Sequence, residues 1–439
     1  MRFGWMCLFA MAPLMRAAGP LQLSLKRAVE IATSPEGNTR IQLSGEALKQ
    51  AESRAAQARA ALLPDLEAAF SEQNLTRNLA AQGISVTVPI PGFRFPTFVG
   101  PFSTMDARIT GSQNVLDFSS IRRFQASKVG IAAAKSDVSG SAEQVAAQVA
   151  RAYLTAVKAD ADVEMAQANV TLSGAVLKQS ENQKAAGTGT GIEITRARVQ
   201  LANDRQKLLV AQNQRRSAQL QLLRAMGVRL DTELELTDKL AYVPVDAVTV
   251  EQAKAQALKE RPDYQAQQER ERNARLSASA TKLERLPAVA AFGDYGASGT
   301  GLNNSLPTRT VGIQVRVPLF DGGRRDARRE ESASQYRSEK VKTNDVKEQI
   351  ELDVRLALDG LQSSEDQVKV ASEGLDLAEN ELTQARRRYD AGVATGVEVT
   401  DAQTRLERAR ENQTAALYSY NVARVDLAQA TGAVRRMVQ

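Results

Sequence analysis

Residues 186–201 read AGTGTGIEITRARVQL, and residues 391–406 read AGVATGVEVTDAQTRL. Ala, Gly, Thr, Gly, Glu, Thr, Ala and Leu recur in place between them. The first copy carries alternating glycines at Gly187, Gly189 and Gly191. A dinucleotide loop needs Gly-x-Gly-x-x-Gly between a strand and a helix, and a P-loop ends in Gly-Lys-Ser/Thr. Here Gly191 runs into Ile192 and Glu193, so neither phosphate cradle is present. Three further pairs of stretches match in the same order. LSLKRAVEIA from Leu23 pairs with VTVEQAKAQA from Val248, ALLPDLEAAF from Ala61 with ERLPAVAAFG from Glu284, and VLDFSSIRR from Val115 with LFDGGRR from Leu319. An ordered series of this kind marks an internal duplication, with repeats over residues 19–236 and 244–439.

The residues flanking the glycine loops are helical in composition. None of the thirteen prolines falls between Phe102 and Val243 or after Pro318. Helical hairpins are predicted over about 119–226 and 323–431. The first arm of each, roughly 66 residues at 1.5 Å rise, gives a rod about 100 Å long. The apolar period along the rods is seven. Ile194, Ala197, Leu201, Asp204, Leu208 and Ala211 step by three and four, as do Val399, Ala402, Leu406 and Ala409. Val368, Ala371, Leu375, Ala378, Leu382, Ala385 and Tyr389 form a third seam. Sustained 3–4 steps specify a left-handed coiled coil. The polar seam members Asp204, Arg215 and Gln413 imply that part of the seam meets water. At the loops, Gly187 and Gly392 are expected to end one helix in a left-handed cap. Thr190 and Thr395 are placed to N-cap the next, with Glu193 and Glu398 at the third position of a capping box.

The ends opposite these tips are predicted to be β. Val311, Ile313, Val315, Val317 and Leu319 alternate with less apolar residues, the period of a strand with one apolar face. Strands are expected over about 66–74, 105–116, 288–298 and 310–320. Four amphipathic strands leave open edges, which a bilayer does not tolerate; three copies supply twelve, enough to enclose a lumen. A homotrimer is thus argued partly from edge closure.

Composition narrows the function. Histidine is absent, and the single cysteine is Cys7. The chain therefore lacks the commonest general base, and the usual zinc ligands are missing. Residues 1–18, MRFGWMCLFAMAPLMRAA, have the layout of a signal peptide: Arg2, an apolar run from Phe3 to Leu14, then small residues. Cys7 lies inside the apolar run, which argues against a lipid anchor on it. Without Arg2 and Arg16 the balance is 55 basic against 51 acidic residues, from totals of 57 and 51. Such a mild excess gives no support for nucleic-acid binding.

Leader, duplicated β-hairpins on coiled-coil rods, and the stretch RRRYDAGVATGVEVTDAQ together resemble the TolC family of outer-membrane efflux proteins. The resemblance implies a mainly helical fold with some β: long antiparallel coiled coils forming a periplasmic tunnel, and four strands per chain in a trimeric 12-stranded transmembrane barrel. It also implies a periplasmic adaptor, an inner-membrane transporter and export of small molecules or proteins. The family often carries Asp-Val-Leu-Asp-Ala at the second tip, its two carboxylates ringing the entrance; the matching positions are Glu398, Val399, Thr400, Asp401 and Ala402. A tyrosine that latches the closed entrance in some members matches Tyr389, whereas the arginine accompanying it is Ala394 here. Gly187, Thr190, Glu193, Gly392 and Thr395 fall at the tips, where the adaptor would dock.

Plainer explanations stand beside these. Glu398 also fits a capping box, and Tyr389 also continues a heptad seam. Arg122, Arg123, Arg324 and Arg325 begin the rods just after a strand, a disfavoured place for cations, and fit either lipid phosphates at the outer membrane or a solvated surface. The composite expectation is a passive exit duct in the outer membrane with a long periplasmic extension. It needs no cofactor or metal and has no catalytic residues. The alternative is a periplasmic coiled-coil adaptor or structural protein, and an enzyme comes third.

Overall fold

The computed structural model describes residues 21–84, 89–92, 96–187 and 189–438. The expected leader, residues 1–18, lies outside them. The chain divides into two units, one comprising Met1–Gly45, Val138–Pro262 and Glu348–Gln439, the other Glu46–Asp137 and Asp263–Lys347.

The second unit is built on a four-stranded antiparallel sheet of β2 (Asp65–Asn78), β3 (Phe98–Leu116), β5 (Ala288–Gly299) and β6 (Leu306–Arg316), in the order β2-β3-β5-β6. Register fixes what each face carries. Leu66 pairs with Gly111, Gly111 with Gly293 and Gly293 with Val311, while Ala68, Ile109, Tyr295 and Arg309 share another rung of the same face. Phe70, Ala291, Ile313 and Val315 lie on it too. Opposite them stand Asp65, Glu67, Thr110, Asp106, Arg108, Asp294 and Thr310. One face is therefore apolar and the other polar, as the period of two requires. Among the described residues no element covers the apolar face: Val311 is 86% exposed and Ile313 76%.

The strand limits depart from those expected. The first two strands run past 66–74 and 105–116, since Asn74 pairs with Ser103, Leu75 with Phe102 and Asn78 with Phe98. Polar residues on both faces end an apolar alternation without ending the ladder. The last strand stops at Arg316 instead of 320, because Pro318 has no N–H to donate. Two helices lead into the hairpins, α2 (Thr39–Ala60) before β2 and α6 (Pro262–Leu283) before β5. Just after α6, Glu284 is 10% exposed in its side chain and receives both Arg123 and Arg328, the latter at 2.8 Å. These arginines lie in the first turns of α3 (Phe118–Ala185) and α7 (Arg324–Asp390), so one carboxylate ties both helix starts together.

In the first unit α3 returns through α4 (Gly191–Met226), and α7 through α8 (Gly396–Thr431). The seams bury the heptad residues: Ala378, Leu382 and Ala385 pack on Val399, Ala402 and Leu406, and Val368 on Ala416 and Tyr420. A larger core collects α1 (Leu25–Thr33), α9 (Val434–Val438) and a short parallel pair, β1 (Leu21–Leu23) with β4 (Leu234–Leu236), while α5 (Val250–Glu260) lies against α8. The buried members of this core include Leu23, Tyr153, Leu222 and Met226. Tyr153 donates its hydroxyl 2.9 Å to Leu23 O, and Leu25 N–H reaches Asp238 Oδ2 at 2.7 Å. Among the described residues no helix is long and apolar enough to cross a membrane.

Asp204 corrects one expectation. It does not meet water; it is 3% exposed, accepts from Gln200 Nε2 at 3.0 Å and also receives Ser173. Beside it Lys207 pairs with Glu407 of α8. Burial raises the Asp204 carboxyl above the usual aspartate value, with Ser173 opposing. A carboxyl raised on folding binds protons more tightly in the native state, so the penalty of its charge is present at neutral pH and relieved as pH falls through the native value. Asp204→Asn is expected to melt at or above the wild-type temperature at pH 7, by on the order of 1 kcal/mol, with the gap closing on acidification towards pH 4; a gap that widens would contradict this. Glu284→Ala leaves two half-exposed guanidiniums without their acceptor, and should cost about 1–2 kcal/mol in thermal unfolding of the detergent-extracted protein.

Candidate functional site

The two helical hairpin tips lie in one unit and bring the predicted entrance residues together. Gly187 and Gly392 adopt φ of +76° and +74°, the left-handed region that ends a helix cheaply only with glycine. Their N–H groups bond Lys184 O and Tyr389 O, each at 3.0 Å. At the first tip Glu193 Oε2 accepts from Thr190 N–H at 3.0 Å, the returning half of a capping box. At the second tip the box does not form. Thr395 makes no side-chain cap bond, and Glu398 sends only its backbone N–H to Thr395 O, at 3.1 Å. The Glu398 carboxylate turns to Arg388, 3.4 Å away across the hairpin.

Asp401 sits three residues on, beside Glu398 on the helix surface, and is exposed. No described residue pairs with its carboxylate. Tyr389 makes two kinds of contact. It packs on the seam around Leu382 and Val399, and its hydroxyl donates to Gln183 Oε1 of α3. Thus α7 is tied to α3 at the tip by one hydrogen bond. Between the hairpins lies a cavity of about 440 Å³, walled by Val176, Val199 and Val399 and edged by Glu193, Arg196 and Asp401. An apolar gap at this point means that the two hairpin ends are not packed against each other along their whole length.

Arg388 was missed by sequence reasoning. The run Arg386-Arg387-Arg388 directly before Tyr389 was the available signal, because basic side chains one turn from a helix C-terminus can cross to an acid starting the next helix. The other predicted set, at the starts of α3 and α7, lies in the second unit. Arg123 is held by Glu284, and Arg325 by Asp321 at 3.0 Å. Arg122 contacts Gln125 at 2.8 Å, and the Arg324 side chain has no partner among the described residues. Among those residues no group of three or more acidic or thiol side chains could hold a metal ion.

The family model for outer membrane efflux proteins matches residues 36–228 and 254–433. The pyoverdine export outer membrane protein OpmQ of Pseudomonas putida is 24% identical over 404 residues, 88% of this chain and 81% of that protein. The alkaline protease secretion protein AprF of Pseudomonas aeruginosa is 22% identical over 319 residues, 71% of this chain and 66% of that protein. In fold, the CmeC outer membrane channel of Campylobacter jejuni superposes with a TM-score of 0.79 over 93% of this chain and 85% of that one, at 16% identity. With a match over most of its length, an amphipathic sheet with one bare apolar face and two long hairpins, the chain belongs to the outer membrane efflux protein family.

Proposed function

We propose that three copies of the chain form one conduit, its sheets joined into a 12-stranded barrel in the outer membrane and its helical hairpins forming a periplasmic entrance. The observation that carries this reading is the sheet. Among the described residues its edge strands β2 and β6 have no partner on their outer sides, and its apolar face is bare. Hydrocarbon can cover that face but cannot satisfy the edge N–H and C=O groups; only neighbouring strands can. The chain is read as two repeats, 19–236 and 244–439, preceded by a leader, residues 1–18, that is removed on export.

In this reading the protein breaks no bonds. It supplies a path, and selectivity and opening reside at the tips. Three copies would set Asp401 and Glu398 as six carboxylates around the entrance. Arg388 offsets Glu398, so Asp401 carries most of the uncompensated charge. Opening requires α7 to leave α3, and the Tyr389–Gln183 bond is the contact to be broken. Energy must come from a partner, which we assign to an inner-membrane transporter coupled through a periplasmic adaptor docking at the tips around Gly187, Thr190, Glu193, Gly392 and Thr395. The roles of OpmQ and AprF, pyoverdine export and protease secretion, bracket the cargo between a small molecule and a polypeptide. At the sheet–helix junction Arg122 and Arg324 remain available to lipid phosphate, whereas Arg123 and Arg325 already have carboxylates.

Outer-membrane extracts should yield a species of three chains by mass measurement in detergent, and a monomer there would end the proposal. In planar bilayers, Tyr389→Phe is expected to raise the time-averaged conductance several-fold, since one hydrogen bond of about 1 kcal/mol shifts a two-state equilibrium by about fivefold. Asp401→Ala should reduce cation preference more than Glu398→Ala does; the reverse order would show that Arg388 does not neutralise Glu398.

A further inference from the structure

The polar face of the sheet contains an ion cluster remote in sequence from the tips. Four successive rungs run across all four strands: Asp65–Ser112–Phe292–Gly312, Glu67–Thr110–Asp294–Thr310, Ala69–Arg108–Gly296–Thr308 and Ser71–Asp106–Ser298–Leu306. These rungs carry the four carboxylates of Asp65, Glu67, Asp106 and Asp294 against the one guanidinium of Arg108. Arg108 is pinned on three sides. Asp106 of its own strand accepts from Nε at 3.0 Å and from Nη2 at 2.9 Å, Asp294 of β5 accepts from Nη1 at 2.5 Å, and Thr308 of β6 lies 3.4 Å from Nη2. The neighbouring rung position is Gly296, where a Cβ would stand 2.8 Å from Arg108 Cα and Cβ. The glycine clears the space that lets the arginine lie across the sheet.

We propose that Arg108, held by Asp106 and Asp294, limits the cation preference of the barrel lumen, separately from the helical entrance. This rests on the threefold conduit above, in which the polar face lines the lumen because the apolar face must meet lipid. Each chain then contributes a net charge of −3 on these rungs, four acids less one arginine, and the lumen favours cations. Arg108 is the only brake on that preference within the four rungs. A guanidinium fixed by three partners acts as a stationary charge on the wall, not as a tether that swings into the stream. The cluster also joins β3, β5 and β6, so a structural role must be separated from an electrostatic one. Salt does this. A wall charge reaches about 30 Å into the lumen at 0.01 M ionic strength and about 3 Å at 1 M, whereas strand pairing is unaffected by that change in reach.

The test measures reversal potentials in KCl gradients across planar bilayers, with Glu398→Ala and Asp401→Ala in the background to remove the tip charges. Arg108→Gln should raise the K⁺ over Cl⁻ permeability ratio about twofold near 0.01 M and leave it unchanged near 1 M. Arg108→Lys, which keeps the charge and loses the fork, should match the parent at both. Asp106→Asn combined with Asp294→Asn should lower the ratio. The proposal is overturned if Arg108→Gln and Arg108→Lys shift the ratio alike, or if the Arg108→Gln effect persists at 1 M. Absence of any conductance from the parent protein would instead defeat the conduit itself, and this inference with it.

Discussion

The backbone hydrogen bonds at the edges of the sheet constrain everything else. In water an unpaired strand edge is tolerable; in hydrocarbon each unmatched N–H or C=O costs several kcal/mol. The chain pairs β2 with β3, β3 with β5 and β5 with β6, and stops there, leaving two edges. A fifth strand within the chain would not remove the problem, only move it. In the proposed conduit closure comes from strands of other copies, which would make membrane insertion and assembly one event. The bare apolar face makes the same demand, since Val311 and Ile313 find no core among the described residues of their own chain.

The helical unit solves a different problem, how to hold long helices together without a globular core. Alanine dominates the buried seams, as at Ala378, Ala385 and Ala402, so the helices approach closely and each rung buries little area. Small increments of about 25 cal/mol per Å² repeat along the rods. Polar residues are admitted where their partners are also within reach: Asp204 receives Gln200 and Ser173, and Lys207 crosses to Glu407. Because the seam towards the tips is thin, a single contact such as Tyr389 to Gln183 matters there more than it would in a dense core. Nearer the short parallel pair, where Tyr153, Leu222 and Met226 are fully buried, separating the same helices would expose far more apolar surface.

Local periodicity made most of this legible. The seven-residue seams, the glycine-ended tips and the two-residue alternation of the later strands each state their own geometry within a dozen residues. What was not legible depends on pairing across long separations. The parallel strands at Leu21–Leu23 and Leu234–Leu236 are too short to show a period, and they exist because the core around Tyr153 gives them a surface. Capping chemistry predicted the same fate for Glu193 and Glu398; only Glu193 followed it, because Arg388 across the second hairpin offered Glu398 a charged partner. Asp204 looked solvated because a heptad position says nothing about donors on the facing helix. The early strands were read short because alternation fails once both faces are polar, although the ladder continues through Asn74 and Ser103.

Tip and sheet share a charge arrangement despite their different folds. At the tip, Glu398 and Asp401 face one arginine, Arg388; on the sheet, Asp106 and Asp294 face Arg108. Each triad leaves one uncompensated carboxylate per chain, to which the sheet adds Asp65 and Glu67. The two differ in how firmly the arginine is held. Arg388 makes one contact of 3.4 Å from an exposed position, whereas Arg108 is bidentate to one aspartate and bonded to a second. A loosely held countercharge can leave its partner when the hairpins move, so the charge seen at the entrance changes with its state. A clamped countercharge in a closed sheet has no such freedom, and its field is constant. In the proposed conduit, electrostatic selection would thus be variable where the path opens and fixed where it ends.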